Sequence, residues 1–321
     1  MRPSLLALLA LFAALLAQPA RAADKLRLAL QATGTTVWEM AVVSAYGLDK
    51  EAGLDLKITE LASTEAGKIA LIGGSADLIV SDWLWVARER AGGHGLVFYP
   101  ASTGIGAVMT RDPAIKSVKD LAGKKLGVAG GPLDKSWLFL KADALKHGVD
   151  LEKSATIAYG APPLLSEKAA QGELDAVLEF WNFALDLEAR GFRRAIEMAD
   201  VEKALGAIGD PVVTGYVFDE KFAGAHGLAL ARFFTMMKKA KTLIASSDEA
   251  WAKAAARVPA KDKATLDLYR KRYVETVPKG SAPEQEADAA KLFAVLAATG
   301  GEALVGPSKT LPPGTFYKAA P

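Results

Sequence analysis

Beyond an apolar leader, the hydrophobic positions of this chain switch repeatedly between a period of two and a period near 3.6. Leu26, Leu28 and Leu30 alternate as a strand does, the turn-prone Thr33-Gly34-Thr35-Thr36 follows, and 37–48 then has helical spacing. The same cycle recurs as a strand over 54–61, a helix over 64–73, a short buried strand over 77–80 and a helix over 82–91. Two further strands are predicted over 96–99 and 105–109, before Arg111-Asp112-Pro113 interrupts the pattern. A second series opens with a one-turn helix over 117–123 and a strand over 125–129 ending on Gly130-Gly131-Pro132. A helix over 132–147, stopped by Gly148, comes next, then a strand, helix, strand and helix over 155–159, 162–171, 175–179 and 181–190. The last strand is predicted over 212–218, and helices fill 222–246, 248–258, 261–276 and 282–298. Strands alternating with helices of about ten residues imply β-α-β units and an α/β fold.

The leader changes the picture of where such a chain works. Arg2, the apolar run over 5–16 and Ala20-Arg21-Ala22 have the form of a signal peptide cleaved after Ala22, and the run is shorter than the ~20 residues of a membrane span. The expected destination is the periplasm. The chain contains no cysteine, which excludes disulfide scaffolds, thiolate metal sites, thiol nucleophiles and a lipid-modified cysteine anchor. Losing Arg2 and Arg21 with the leader would leave 37 basic against 37 acidic side chains. No basic excess argues for nucleic acid as a partner. About 300 mature residues, 51% hydrophobic in composition over the whole chain, suffice for two domains.

Four stretches carry a family likeness: Gly47-Leu48-Asp49-Lys50-Glu51-Ala52-Gly53-Leu54-Asp55, Gly73-Gly74-Ser75-Ala76-Asp77-Leu78, 120–128 from Asp120-Leu121-Ala122-Gly123, and Ala169-Ala170-Gln171-Gly172-Glu173-Leu174-Asp175-Ala176. In order and spacing they resemble the NMT1-like and sulfonate, nitrate, taurine branch of ABC-transporter periplasmic substrate-binding proteins, from Leu26 to about Ala245. The glycines also suit turns that close helices, so these motifs speak for the scaffold and not for the solute. The resemblance implies a type II periplasmic binding protein fold: two doubly wound lobes joined by two hinge crossings, with extra C-terminal helices. It places residues 23–104 with 216–321 in one lobe and 105–215 in the other, after a signal peptide over 1–22. It further implies a monomer that hands a small-molecule solute to an ABC permease and its ATPase.

In open sheets of this kind ligands sit beyond the carboxyl ends of the strands. That rule selects Thr33 and Trp38 after the first strand, Ser81, Asp82 and Trp83 after the third, Gly130, Gly131 and Ser136 after the sixth, and Glu179, Trp181 and Asn182 after the eighth. Five of the six tryptophans lie on or just after these loops, which reads either as interlobe packing or as a slot in which Trp38, Trp83 and Trp181 wall a planar or cationic ligand. Asp82 and Glu179 would accept hydrogen bonds from such a ligand, or serve as helix caps. Pro132 and Asp134 disfavour an anion at the glycine turn, with Lys135 and Ser136 partly offsetting them. The expected solute is therefore neutral or cationic, a heteroaromatic of the thiamine-pyrimidine kind among the options. Open alternatives are a sulfonate- or nitrate-type oxyanion, a metal ion held by Glu39, Asp82, Asp134 and Glu179, and a pyrimidine-synthesising enzyme. Against the last, His94, His147 and His226 are far apart, and no nucleophilic triad or phosphate loop is present. No catalytic residue, metal site or cofactor is expected.

Overall fold

The computed structural model describes residues 23–260 and 262–318; the leader expected over 1–22 lies outside them. The first lobe is built from β1 (Asp24–Gln31), α1 (Thr36–Tyr46), β2 (Leu54–Leu61), α2 (Thr64–Ile72), β3 (Leu78–Asp82), α3 (Trp83–Ala91) and β4 (Leu96–Ser102). The second takes β5 (Ala107–Thr110), β6 (Lys125–Ala129), α4 (Lys135–Lys146), β7 (Thr156–Gly160), α5 (Pro162–Ala170), β8 (Ala176–Glu179), α6 (Trp181–Ala189), β9 (Arg193–Glu197) and α7 (Met198–Ala204). The chain then returns to the first sheet as β10 (Thr214–Asp219). It ends in four helices: α8 (Glu220–Ser246), α9 (Asp248–Ala255), α10 (Lys263–Glu275) and α11 (Ala282–Val305).

Each lobe holds one five-stranded sheet, in the order β2-β1-β3-β10-β4 and β7-β6-β8-β5-β9. β1 and β2 run parallel in unbroken register, from Asp24 opposite Leu54 to Gln31 opposite Leu61. The sheets are mixed rather than purely parallel, because β5 and β10 lie antiparallel to both of their neighbours. These two strands enter from the other lobe through a crossing, without the crossover helix that enforces parallel entry.

The period-two pattern sorts the core. Leu26, Leu28, Leu30, Tyr216 and Phe218 pack into one cluster with Val42 and Phe233, whereas Ala29, Ile79 and Val217 face a second cluster on the opposite side of the sheet. That second cluster continues into the other lobe, where Trp83 and Val86 share a core with Val128, Trp137, Leu138 and, from α11, Phe293. Full burial of such side chains stabilises by about 1.5–3 kcal/mol each. On the far side, Arg272 of α10 donates two hydrogen bonds to Glu188 of α6, at 2.5 and 3.1 Å.

Three departures from the sequence reading have physical causes. Strand β9 and helix α7 were not predicted, since Arg-Arg-Ala-Ile-Glu is too charged to read as a strand; at the sheet edge Arg194 donates to Glu197 at 2.6 and 2.9 Å. Helix α4 begins at Lys135 rather than at Pro132, because Asp134 supplies its cap. Helix α11 is longer than expected and serves both lobes, and its polar residues bind the second crossing. Asp288 accepts from the Ile208 and Gly209 amides at 2.8 Å each, while Gln285 accepts from Val212 and donates to the Asp210 carbonyl.

At the first crossing the backbones approach so closely that a Cβ on Gly106 would fall 1.6 Å from the Glu179 carbonyl oxygen. Gly106→Ala is expected to destabilise the fold by at least the ~1–3 kcal/mol typical of overpacking. A thermal melt reads this directly, and a melting temperature equal to the parent's would refute the close approach.

Candidate ligand-binding cleft

The two crossings and the carboxyl ends of the central strands enclose a cavity of about 300 Å³. From the first lobe it is walled by Gln31, Thr35, Thr36 and Glu39 around the start of α1, by Thr64, and by Ser81 and Asp82 at the end of β3. The second lobe contributes Asp134, Lys135 and Ser136 at the start of α4, with Phe180, Trp181 and Asn182 at the start of α6. Thr214 and Lys241 complete the rear.

Helix N-termini therefore surround the space, and the way each is capped sets its electrostatics. An uncapped N-terminus carries free amides and a partial positive charge. At α3, Asp82 Oδ1 accepts from the Trp85 amide at 2.9 Å. At α4, Asp134 Oδ1 accepts from Ser136 and Trp137 at 2.9 and 3.2 Å. Each aspartate keeps its Oδ2 free of any hydrogen bond among the described residues. Burial pushes Asp134 up to about 6, opposed by its amide partners and Lys135 and assisted by the charge of Asp82. The starts of α1 and α6 carry no side-chain cap. Ser81 Oγ is buried beside the cavity with no partner among the described residues, an arrangement that costs free energy unless a visiting polar group satisfies it.

Of the side chains singled out in the sequence, Ser81, Asp82, Ser136, Trp181 and Asn182 meet around this one cavity. The others lie elsewhere. Thr33 and Trp38 border an adjoining space of about 400 Å³ that shares Asn182 with the first. The Trp38 ring backs onto Trp181 at 6.4 Å and onto Tyr273 at 5.9 Å, in an aromatic cluster between the lobes. Trp83 is 1% exposed and donates from Nε1 to the Val212 carbonyl at 2.9 Å, so it belongs to the interlobe core and not to a ligand slot. Gly130 and Gly131 both have left-handed backbone, with φ of 86° and 100°, and stand outside the wall. A Cβ on Gly130 would meet Asp134 Oδ2 at 2.9 Å and Phe180 Cζ at 3.0 Å, so this glycine admits its neighbours rather than a solute. Glu179 is buried behind the cavity, where Ser166 Oγ donates to it at 3.0 Å, and burial pushes it up to about 8. A tryptophan-walled slot is thus reduced to Trp181 with Phe180.

Sequence reading named Glu39 but missed the lysine that pairs with it at the rear of the cavity. Lys241 lies on α8, which looks like an outer helix, yet its ammonium donates to Glu39 Oε1. Glu39, 1% exposed, also accepts from Tyr273 Oη at 2.8 Å and more weakly from Tyr216 Oη at 3.4 Å. The run of hydroxyl residues before α1 was the available signal; Lys241, about 200 positions away, offered none. Among the described residues no three His, Cys, Asp or Glu side chains gather to hold a metal ion, and Glu39 is committed to Lys241. No described helix is long and apolar enough to cross a membrane.

Two lobes, two crossings and a polar cleft at the strand ends define the fold of the substrate-binding proteins of ABC transporters. The sequence profile of the family described as NMT1/THI5 like matches residues 42–250, and the chain belongs to that family. Among solved structures, the periplasmic aliphatic sulphonate-binding protein of Escherichia coli superposes with a TM-score of 0.70 at 18% identity, covering 89% of this chain and 95% of that one. The alkanesulfonate-binding protein of Xanthomonas axonopodis pv. citri, bound to MOPS, gives 0.65 at 20% identity, with 90% and 96% covered. A zinc-bound ligand-binding component of an ABC-type import system from Staphylococcus aureus gives 0.64 at 11% identity, with 92% and 99% covered. No curated protein matches the chain by sequence.

Burial makes Glu179 a test of this geometry. The folded protein holds its proton up to about 8, whereas an unfolded chain releases it near 4.5, so between those values the folded state binds more protons and stability falls as pH rises. Glu179→Gln is expected to melt higher than the parent at pH 8, by about 2–4 °C for each kcal/mol recovered. The advantage should vanish near pH 4.5, and parallel melting curves across the window would contradict the buried, protonated assignment.

Proposed function

We propose that this chain is the periplasmic solute-capturing component of an ABC importer, exported by its leader and acting as a monomer, and that its two lobes close on a small polar organic solute. The crossings over 103–106 and 205–213 serve as the hinge between the lobe that holds β1 to β4 with β10 and the lobe that holds β5 to β9. The loaded form delivers its cargo to a permease driven by an ATPase, and the protein carries out no chemistry on the solute.

The observation that carries the choice of solute is the pair of capping aspartates. Asp82 and Asp134 both border the cavity, each with one oxygen spent on a helix amide and one uncommitted. Of the two lysines in the wall, Lys241 is neutralised by Glu39. A neutral hydrogen-bond donor or a cationic edge, such as an amine or an amino-heteroaromatic ring, suits this wall, with Trp181 and Phe180 against its apolar face. A second reading has its own support. The uncapped starts of α1 and α6, with Thr35, Thr36 and Asn182 beside them, suit an oxyanion, and two of the structural relatives bind sulfonates.

Native mass spectrometry of protein released gently from the periplasm, before and after denaturation, reads the mass of the cargo. An amine or amino-heteroaromatic is expected, with affinity falling about tenfold to a hundredfold in Asp82→Asn and Asp134→Asn, as for loss of a charged hydrogen bond. A sulfonate or another oxyanion whose binding survives both substitutions would overturn the cationic assignment in favour of the second reading. Turnover of the cargo would overturn the transport role itself.

A further inference from the structure

Behind the cleft, on the far side of the Glu39–Lys241 pair, lies a second cavity of about 550 Å³ between the first sheet, α8, the end of α10 and the start of α11. Its size is that of a small-molecule site. The floor is apolar: Phe234 stacks on Tyr99 with ring centroids 3.6 Å apart and planes 3° from parallel, and Met237, Val274 and Val277 extend it. Three lysines, Lys238, Lys241 and Lys279, stand in the wall, and among the described residues no acidic side chain does. Lys238 and Lys279 have no ion-pair partner among the described residues, and Lys241 makes a single hydrogen bond, to Glu39, with three protons available.

An apolar floor beneath the two unpaired ammonium groups of Lys238 and Lys279 is complementary to one kind of small molecule. We propose that this cavity is a second binding site, for an organic anion with an apolar body, such as a medium-chain carboxylate, whose head is held by Lys238 and Lys279 and whose tail lies on Tyr99, Val274 and Val277. Lys241 and Ala101 belong to the walls of both cavities, so the lysine that neutralises Glu39 behind the cleft is also within reach of the second site. The proposal does not depend on what the cleft binds.

Isothermal titration of the full mature protein with decanoate, and with decyltrimethylammonium as the charge-reversed control, tests it. Decanoate is expected to bind at least tenfold more tightly than the cation. The double substitution Lys238→Glu with Lys279→Glu should weaken decanoate at least tenfold, while Lys238→Arg with Lys279→Arg keeps it within about threefold; equal thermal melts verify that all three proteins are folded. No binding of decanoate, equal binding of the two detergent-like probes, or decanoate affinity unchanged by charge reversal would each overturn the site.

Discussion

A carboxylate with almost no exposure to water is tolerated only where donors surround it, and Glu39 imposes that condition on the first lobe. Its partners come from three distant parts of the chain: Tyr216 on β10, Lys241 on α8 and Tyr273 on α10. The start of α1, strand β10 and the helical return are thereby tied to one point directly behind the cleft. Burial and the neighbouring negative charge push both tyrosine hydroxyls well above their ordinary range, so they stay protonated and donate to Glu39. Removing one partner of such a cluster leaves another buried and unpaired, which is why the arrangement holds as a unit.

The cleft inherits its character from this anchoring and from the way helix ends are treated around it. Two helices present carboxylates that spend one oxygen on the helix and offer the other, and two present bare amides. The cavity thus offers acceptors and donors within one small volume, each lobe supplying one capped and one uncapped helix start, with a single aromatic ledge from α6. A solute held in such a space must match polar groups to polar groups, because an unmatched one is buried without compensation.

Much of the scaffold was legible in the chain because local patterns dictate it. Alternation marked Leu26, Leu28 and Leu30 as one buried face of β1, and Lys125 to Ala129 emerged as a strand with the predicted ends. Site residues were legible only to the extent that a strand end guarantees proximity to the cleft: Ser81, Asp82, Ser136, Trp181 and Asn182 follow that rule. It cannot tell which way a side chain turns. Trp83 follows Asp82 directly, yet it points into the interlobe core to reach the Val212 carbonyl, and Glu179 is sealed in by its antiparallel neighbour β5. Contacts that join lobes, such as Arg272 with Glu188 or Asp288 with the second crossing, depend on the folded arrangement and left no local signature.

The strand order of the first sheet has a consequence for how the molecule is made. β10 lies between β3 and β4, although the whole second sheet separates it from them along the chain. As the polypeptide emerges from its N-terminus, the first lobe must wait, with β3 and β4 unjoined, until about a hundred further residues have appeared, while the second sheet is one contiguous stretch able to assemble first. The lobe that begins the chain is therefore the one finished last.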